Sequence, residues 1–268
     1  MLYRLKKEMV IITFILMLIL NFYMALAIQP TGGSVTEQRT ETAPSDPAGS
    51  SNAQAGNVTE LNINAFSTTQ TWQGYFGNVS GTIQLADATD DVFYNWTLAD
   101  PEGEVYSSTN STITWTNIQC FNFTANGSGG GVAGQTPGGT NLNGINLSVL
   151  ESRFNIATDD VDGVNETFAF TQGGDGHDQF FTANLQFSAS ECLSTHVYSS
   201  NGGPSSNQFE EVLLFEPATS SVVFASILEE ASVMGYDNQD HDFEMLVLED
   251  GHGVDVSTTT YYFFVELE

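Results

Sequence analysis

The chain has 268 residues, with 33 Asp and Glu against 5 Lys and Arg and a formal net charge of −28. A surface this acidic repels nucleic acid and anionic membranes, which argues against both as partners of the folded part. It suits a protein kept soluble in salt or one that collects divalent cations, and for most of the carboxylates solubility alone is reason enough.

Arg4, Lys6 and Lys7 precede an apolar run from Met9 to Leu20, broken only by Thr13, and Ala25-Leu26-Ala27 follows. A basic start, an apolar middle and an A-x-A site make residues 1–27 a secretory signal peptide, with the cut expected between Ala27 and Ile28. Left uncut, Met9 to Ala27 just reaches the length of a spanning helix and would act as a membrane anchor. Either way the basic end stays in the cytoplasm and the remainder is secreted or displayed on the cell surface. Beyond the leader the only cations are Arg39 and Arg153, and no lysine remains.

Residues 28–56 are rich in Thr, Ser, Gly, Ala and Pro and nearly free of large apolar side chains. Such a segment buries too little surface to offset its ordering entropy, so it is expected to be a disordered linker or stalk. The composition changes at Asn57, and a folded domain is expected over residues 57–268.

That domain reads as all-β. Leu61, Ile63 and Ala65 alternate with polar residues, as do Ile83 and Leu85, the period of a half-buried strand. Trp72 to Phe76, Val92 to Leu98, Thr112 to Trp115 and Ile118 to Thr124 are aromatic or β-branched runs bounded by Gly, Asn, Asp and Ser. Pro101-Glu102-Gly103 marks a turn before Glu104-Val105-Tyr106. Further strands are expected within Thr167 to Thr171, Gln179 to Phe187, Val212 to Phe215, Val222 to Leu228, Phe243 to Leu248 and Thr260 to Leu267. Only Leu142 to Phe154 reads as a short helix. Many short strands separated by turn signals indicate a β-sandwich, one large or two fused.

Cys120 and Cys192 are the only two cysteines. In an exported chain they are expected to pair, closing a loop of about seventy residues worth on the order of 4 kcal/mol in the chain-entropy model. Asn-x-Ser/Thr occurs at Asn57, Asn78, Asn95, Asn110, Asn122, Asn126, Asn146 and Asn165, never with proline in the middle. In a sequence this rich in Asn, Ser and Thr about half would arise by chance, and within strands only an outward-facing Asn can carry a glycan. Asn110 and Asn126, in turn-like or glycine-rich surroundings, are the first candidates for occupancy.

The stretch Trp72-Gln73-Gly74-Tyr75-Phe76-Gly77-Asn78-Val79-Ser80-Gly81 resembles a family of uncharacterised archaeal secreted surface proteins. The resemblance continues through Tyr94-Asn95-Trp96, Pro101-Glu102-Gly103-Glu104-Val105-Tyr106, Asp159-Asp160-Val161-Asp162-Gly163-Val164-Asn165-Glu166-Thr167-Phe168 and Phe209-Glu210-Glu211-Val212-Leu213-Leu214-Phe215, and ends with Glu249-Asp250-Gly251-His252 and the run from Thr260 to Leu267. It implies an exported envelope protein and supplies no catalytic residues.

Acidic loops raise the question of calcium as a structural cofactor. Gly173-Gly174-Asp175-Gly176-His177-Asp178-Gln179-Phe180 matches one unit of the calcium-binding nonapeptide repeat, which works only where successive turns stack and share ions. Asp159, Asp160, Asp162 and Asn165 offer oxygens at short spacing, as do Asp237, Asp240, Asp242 and Glu244, and calcium needs six to eight such ligands. Asp159, Asp160, Asp162 and Asn165, with Asp175 and Asp178, are the candidate metal ligands. The bland alternative is turn chemistry, since Asp, Asn and Gly are what tight connections use.

No catalytic residues stand out. His177, His196, His241 and His252 form no His-x₃-His pair and read as solvated loop residues. There is no Gly-x-Ser-x-Gly elbow, and both thiols are expected to be consumed. Paired carboxylates for glycoside hydrolysis depend on a separation in space that sequence does not give. Trp72, Tyr75, Trp96 and Trp115 would make a sugar-stacking platform if exposed, although aromatics on strands more often pack in cores. An exposed edge strand would allow assembly by strand addition, and the C-terminal run is the natural candidate to pair or be donated. The expected function is therefore that of a noncatalytic surface protein in envelope structure, adhesion or assembly, partnered by glycans, other surface proteins or copies of itself. A carbohydrate-binding module and a secreted hydrolase are the alternatives.

Overall fold

The computed structural model describes residues 29–123, 135–136, 139–140, 145–169, 176–205, 207–229, 233–252 and 256–267. The expected signal peptide and Asn126 lie outside them. Among the described residues no helix is long and apolar enough to cross a membrane.

In chain order the strands are β1 (Thr31–Gly32), β2 (Trp72–Gly77), β3 (Thr82–Ala86), β4 (Val92–Thr97), β5 (Gly103–Ser108) and β6 (Gln119–Cys120). The short pair β7 (Gln135–Thr136) and β8 (Gly139–Thr140) follows, then β9 (Phe180–Thr182), β10 (Leu185–Phe187), β11 (Ser194–His196) and β12 (Glu210–Glu216). Last come β13 (Ser221–Ile227), β14 (Val233–Met234), β15 (Asp240–His241), β16 (Phe243–Leu248) and β17 (Tyr262–Leu267). A helix at Leu147–Arg153, inside the stretch expected to be helical, starts where Asn146 accepts a hydrogen bond from the Val149 amide.

A seven-stranded antiparallel sheet forms the centre, in the order β1-β17-β5-β13-β12-β11, with β6 sharing the outer edge of β12. Strict alternation divides its side chains between two cores. Val105, Leu213, Phe215 and Phe224 face one side, against Met245 and Val247 of β16 and against Leu147, Leu150, Val164 and Phe168. Tyr106, Val212, Leu214, Val223, Ala225 and Phe264 face the other, with Trp115, Ile118, Phe180 and Phe187. Every residue of β12 is buried, which is why its centre, Val212 to Phe215, is continuously apolar and not alternating.

The β2/β16 ladder lies across β12 and β13 on the first face, and β9 packs against β5 on the second. The all-β class holds, but each face is covered by a two-stranded ladder with helices or loops, not by an opposing sheet of similar size. Cys120 and Cys192 are bonded, 72 positions apart with Cα atoms 5.3 Å from each other, and both are buried in the second core.

Four local expectations come out differently. Leu61, Ile63 and Ala65 form no strand, have no partner among the described strands and lie exposed, and the first long strand is β2, from Trp72. Trp115 opens a 3₁₀ turn, Trp115–Asn117, wedged between Tyr106 and Phe264. Of the strand expected over Thr167 to Thr171, Thr167 instead ends a helical turn, Val164–Thr167, closed by hydrogen bonds from Thr167 to the Gly163 carbonyl, and Phe170 and Thr171 lie outside the described residues. Within the expected linker, Thr31 and Gly32 join the sheet as β1, so the segment that follows loops out and returns to the domain it left.

Candidate functional site

Among the described residues, β3 and β4 form a ribbon that pairs only with itself. In its register Ile83 lies opposite Trp96 and Leu85 opposite Tyr94, which puts these four apolar side chains on one face. Gln84 and Asn95 pair on the other face. Leu85, Tyr94 and Trp96 are each about half exposed (52%, 57% and 50%), and Phe93 is 83% exposed. The Tyr94 and Trp96 rings sit 4.8 Å apart and tilted by 57°. At the tip, Asp87 accepts from the amide and hydroxyl of Thr89, both at 2.8 Å, and from the Asp91 amide. Those bonds, the Thr89 hydroxyl foremost, hold its carboxyl below the usual range, so the turn is an acidic cap on an apolar blade.

Of the candidate metal ligands, Asp159, Asp160 and Asp162 share one loop, Asn165 lies in the helical turn that follows it, and Asp178 lies elsewhere beside β9. Asp160 accepts from the Ala157 amide at 2.7 Å, and Asp162 accepts from the Thr69 hydroxyl while its carbonyl takes the Trp72 indole N–H. Turn capping and docking of the domain's first strand occupy these two carboxylates. Asp175 falls outside the described residues, among which no group of three or more His, Cys, Asp or Glu is placed to hold a metal.

The histidines are not solvated. His177, His196 and His241 are buried, and only His252 is partly exposed. His196 Nε2 lies 3.8 Å from Glu210 Oε1, and His241 Nε2 lies 2.9 Å from Asp237 Oδ1. Their surroundings contain the feature that sequence reading missed, a set of buried glutamates on the strands. Glu104 accepts from the Phe181 amide, Glu266 from Ala183, Glu210 from Asp178, Glu211 from Leu246 and Glu244 from Tyr236. Each carboxyl fastens a covering segment to a strand. Burial pushes Glu210 up to about 7 and Glu244 up to about 6, and raises Glu211 well above the ordinary carboxylate range. The signal available in the sequence was Glu210-Glu211 running directly into Val-Leu-Leu-Phe.

Trp115 is core, Trp72 is half-buried against Phe168, and Trp96 alone of the tryptophans stands on an exposed face. A groove of about 410 Å³ runs between β1 and β17, lined by Gly32, Gly33, Val35, Tyr262 and Phe264 among others. A second, of about 340 Å³, is lined by Asn110, Arg153, Ser221 and Tyr261 among others. Asn110 donates its side-chain amide to the Ser221 hydroxyl at 2.9 Å, a bond that a glycan there would displace. Asn57, Asn78, Asn95 and Asn165 are exposed, whereas Asn122 is buried.

No family model, no curated protein and no solved structure matches the chain.

Proposed function

We propose that this is an exported, noncatalytic surface protein that works by contact, in envelope structure, adhesion or assembly. The observation that carries the reading is the uncovered apolar face of the β3–β4 ribbon. A two-stranded ribbon is marginal in water by itself, and a row of Ile83, Leu85, Tyr94 and Trp96 gains from burial against something else. The acidic turn beside it favours another surface protein with a neutral or basic rim. Export accords with the buried disulfide and with the basic-apolar leader. A glycan on Asn95 would sit on the opposite face, clear of the contact. Calcium is left out of the proposal, because Asp160 and Asp162 are already engaged.

The test is imaging of native cell surfaces with a specific antibody, comparing the wild type with a Tyr94→Ser/Trp96→Ser variant. Ordered clusters in the wild type and scattered molecules in the variant are expected. The same arrangement in both would overturn the reading. A second reading, carbohydrate binding, draws on the two exposed aromatics, although rings tilted by 57° offer a sugar no flat platform. Retention on a glycan array that W96S abolishes would favour it.

A further inference from the structure

We propose that β1 is an exchangeable strand, so that Thr31–Gly32 of one molecule can close the β17 edge of a second copy of this chain. The contact is already built within one molecule. Thr31 pairs with Val265 and Gly32 with Phe264, the Gly33 amide donates to the Phe263 carbonyl at 3.0 Å, and Pro30 is buried. Gly33 suits it: a Cβ there would come within 3.3 Å of a Val265 methyl, so any larger residue would press on β17 and push the two backbones apart.

Two further observations, and the expected leader cut, make the strand transferable. Its ladder spans two residues of the six in β17, and Tyr262 beside the groove remains 44% exposed. The chain from residue 34 to 69 forms no helix or strand and is exposed throughout. Fully extended it reaches on the order of 100 Å, far more than the distance to a neighbour in contact. It is tied to the domain at two places, through Arg39, which pairs with Asp237 at 3.2 Å and lies 5.7 Å over the Phe76 ring beside Tyr236, and through the Thr69–Asp162 hydrogen bond. Finally, the expected cut between Ala27 and Ile28 would leave a free end a few residues before Thr31, so nothing need be threaded.

Exchange between copies makes the same bonds as closure within one, so the balance is set by concentration. A flexible tether of this kind holds β1 near its own edge at roughly millimolar effective concentration. Transfer between molecules is therefore expected where copies are crowded, as on a surface. With a net charge of −28 per chain, it also requires enough salt to screen their repulsion. The inference does not depend on the ribbon.

Ladder partners lie within disulfide reach, which gives a direct test on the exported chain. T31C and V265C are made separately, mixed at high protein concentration and high salt, and oxidised. A mixed disulfide between the two chains is expected, severalfold above the yield from S50C with V265C, and Gly33→Val in the T31C chain should abolish it. The T31C/V265C double variant, diluted, should close within one molecule and shows that the pair is competent. A competent double variant together with no cross-link above the S50C control would overturn the proposal.

Discussion

The backbone amide of Cys192 donates to Nε2 of His177 at 2.9 Å, while Nδ1 of the same ring lies 2.6 Å from the Asp178 carbonyl. With Nε2 accepting and Nδ1 donating, the imidazole is neutral and holds the loop before β9 against the half-cystine before β11. Burial lowers its proton affinity, in keeping with a ring that has no room for a second N–H. His177→Ala is expected to leave a cavity and an orphaned buried amide, and to destabilise the fold by about 2–4 kcal/mol in denaturant titrations. A loss below about 0.5 kcal/mol would show that the ring holds nothing.

The bridge itself should be worth more. Closing a loop across 72 positions stabilises by about 4 kcal/mol through the unfolded chain. Cys120→Ser/Cys192→Ser is therefore expected to lower the denaturant midpoint by more than any single loop substitution. Thiol labelling of the native protein should find neither sulfur reactive without reductant, and both should react after reduction and unfolding.

The buried glutamates invert the usual dependence of stability on acid. Glu210 at about 7 and Glu244 at about 6 bind their protons more tightly in the folded chain than the ordinary carboxylate value of 4.5 allows when unfolded. Their contribution is thus complete below about pH 4.5 and is lost as pH rises through 6 and 7. His177 acts in the opposite sense, losing its contribution as pH falls below 6.5. With Glu211 added to the first group, the melting temperature is expected to rise from pH 8 to pH 5. Glu210→Gln keeps an acceptor for the Asp178 amide and should flatten that slope. An unchanged slope in the variant would mean that Glu210 does not titrate with folding.

How far the sequence showed this fold depended on whether a segment's partners were local. The Leu147–Arg153 helix and strands such as β12, β13 and β16 were legible, because periodicity and β-branched runs decide them and dense burial on both faces reinforces the pattern. The alternation at Leu61, Ile63 and Ala65 looked the same, yet no other strand offers it an edge. β1 was invisible for the reverse reason, since Thr31 and Gly32 carry no apolar signal and are fixed by the backbone edge of β17. The buried glutamates were missed because charge in a sequence does not reveal which covering amide will meet it. Aromatic residues posed the same difficulty at the candidate site: the pattern of β4 is that of any half-buried strand, and only the fold leaves its apolar face bare.

Trp96 and Trp115 separate contact from packing most sharply. Trp115 is 6% exposed and lies 5.0 Å from the Tyr106 ring and 5.1 Å from Phe264, edge-on to the latter. Trp115→Ala removes the centre of the second core and is expected to cost about 3–5 kcal/mol. Trp96 meets Tyr94 on one side and water on the other, so Trp96→Ala should change stability by less than about 1 kcal/mol while removing the largest part of the ribbon's bare face. Denaturant titration of the two variants checks the contrast. Equal losses would mean that the ribbon is part of the packed domain, and its apolar face would then be needed for folding and not for a partner.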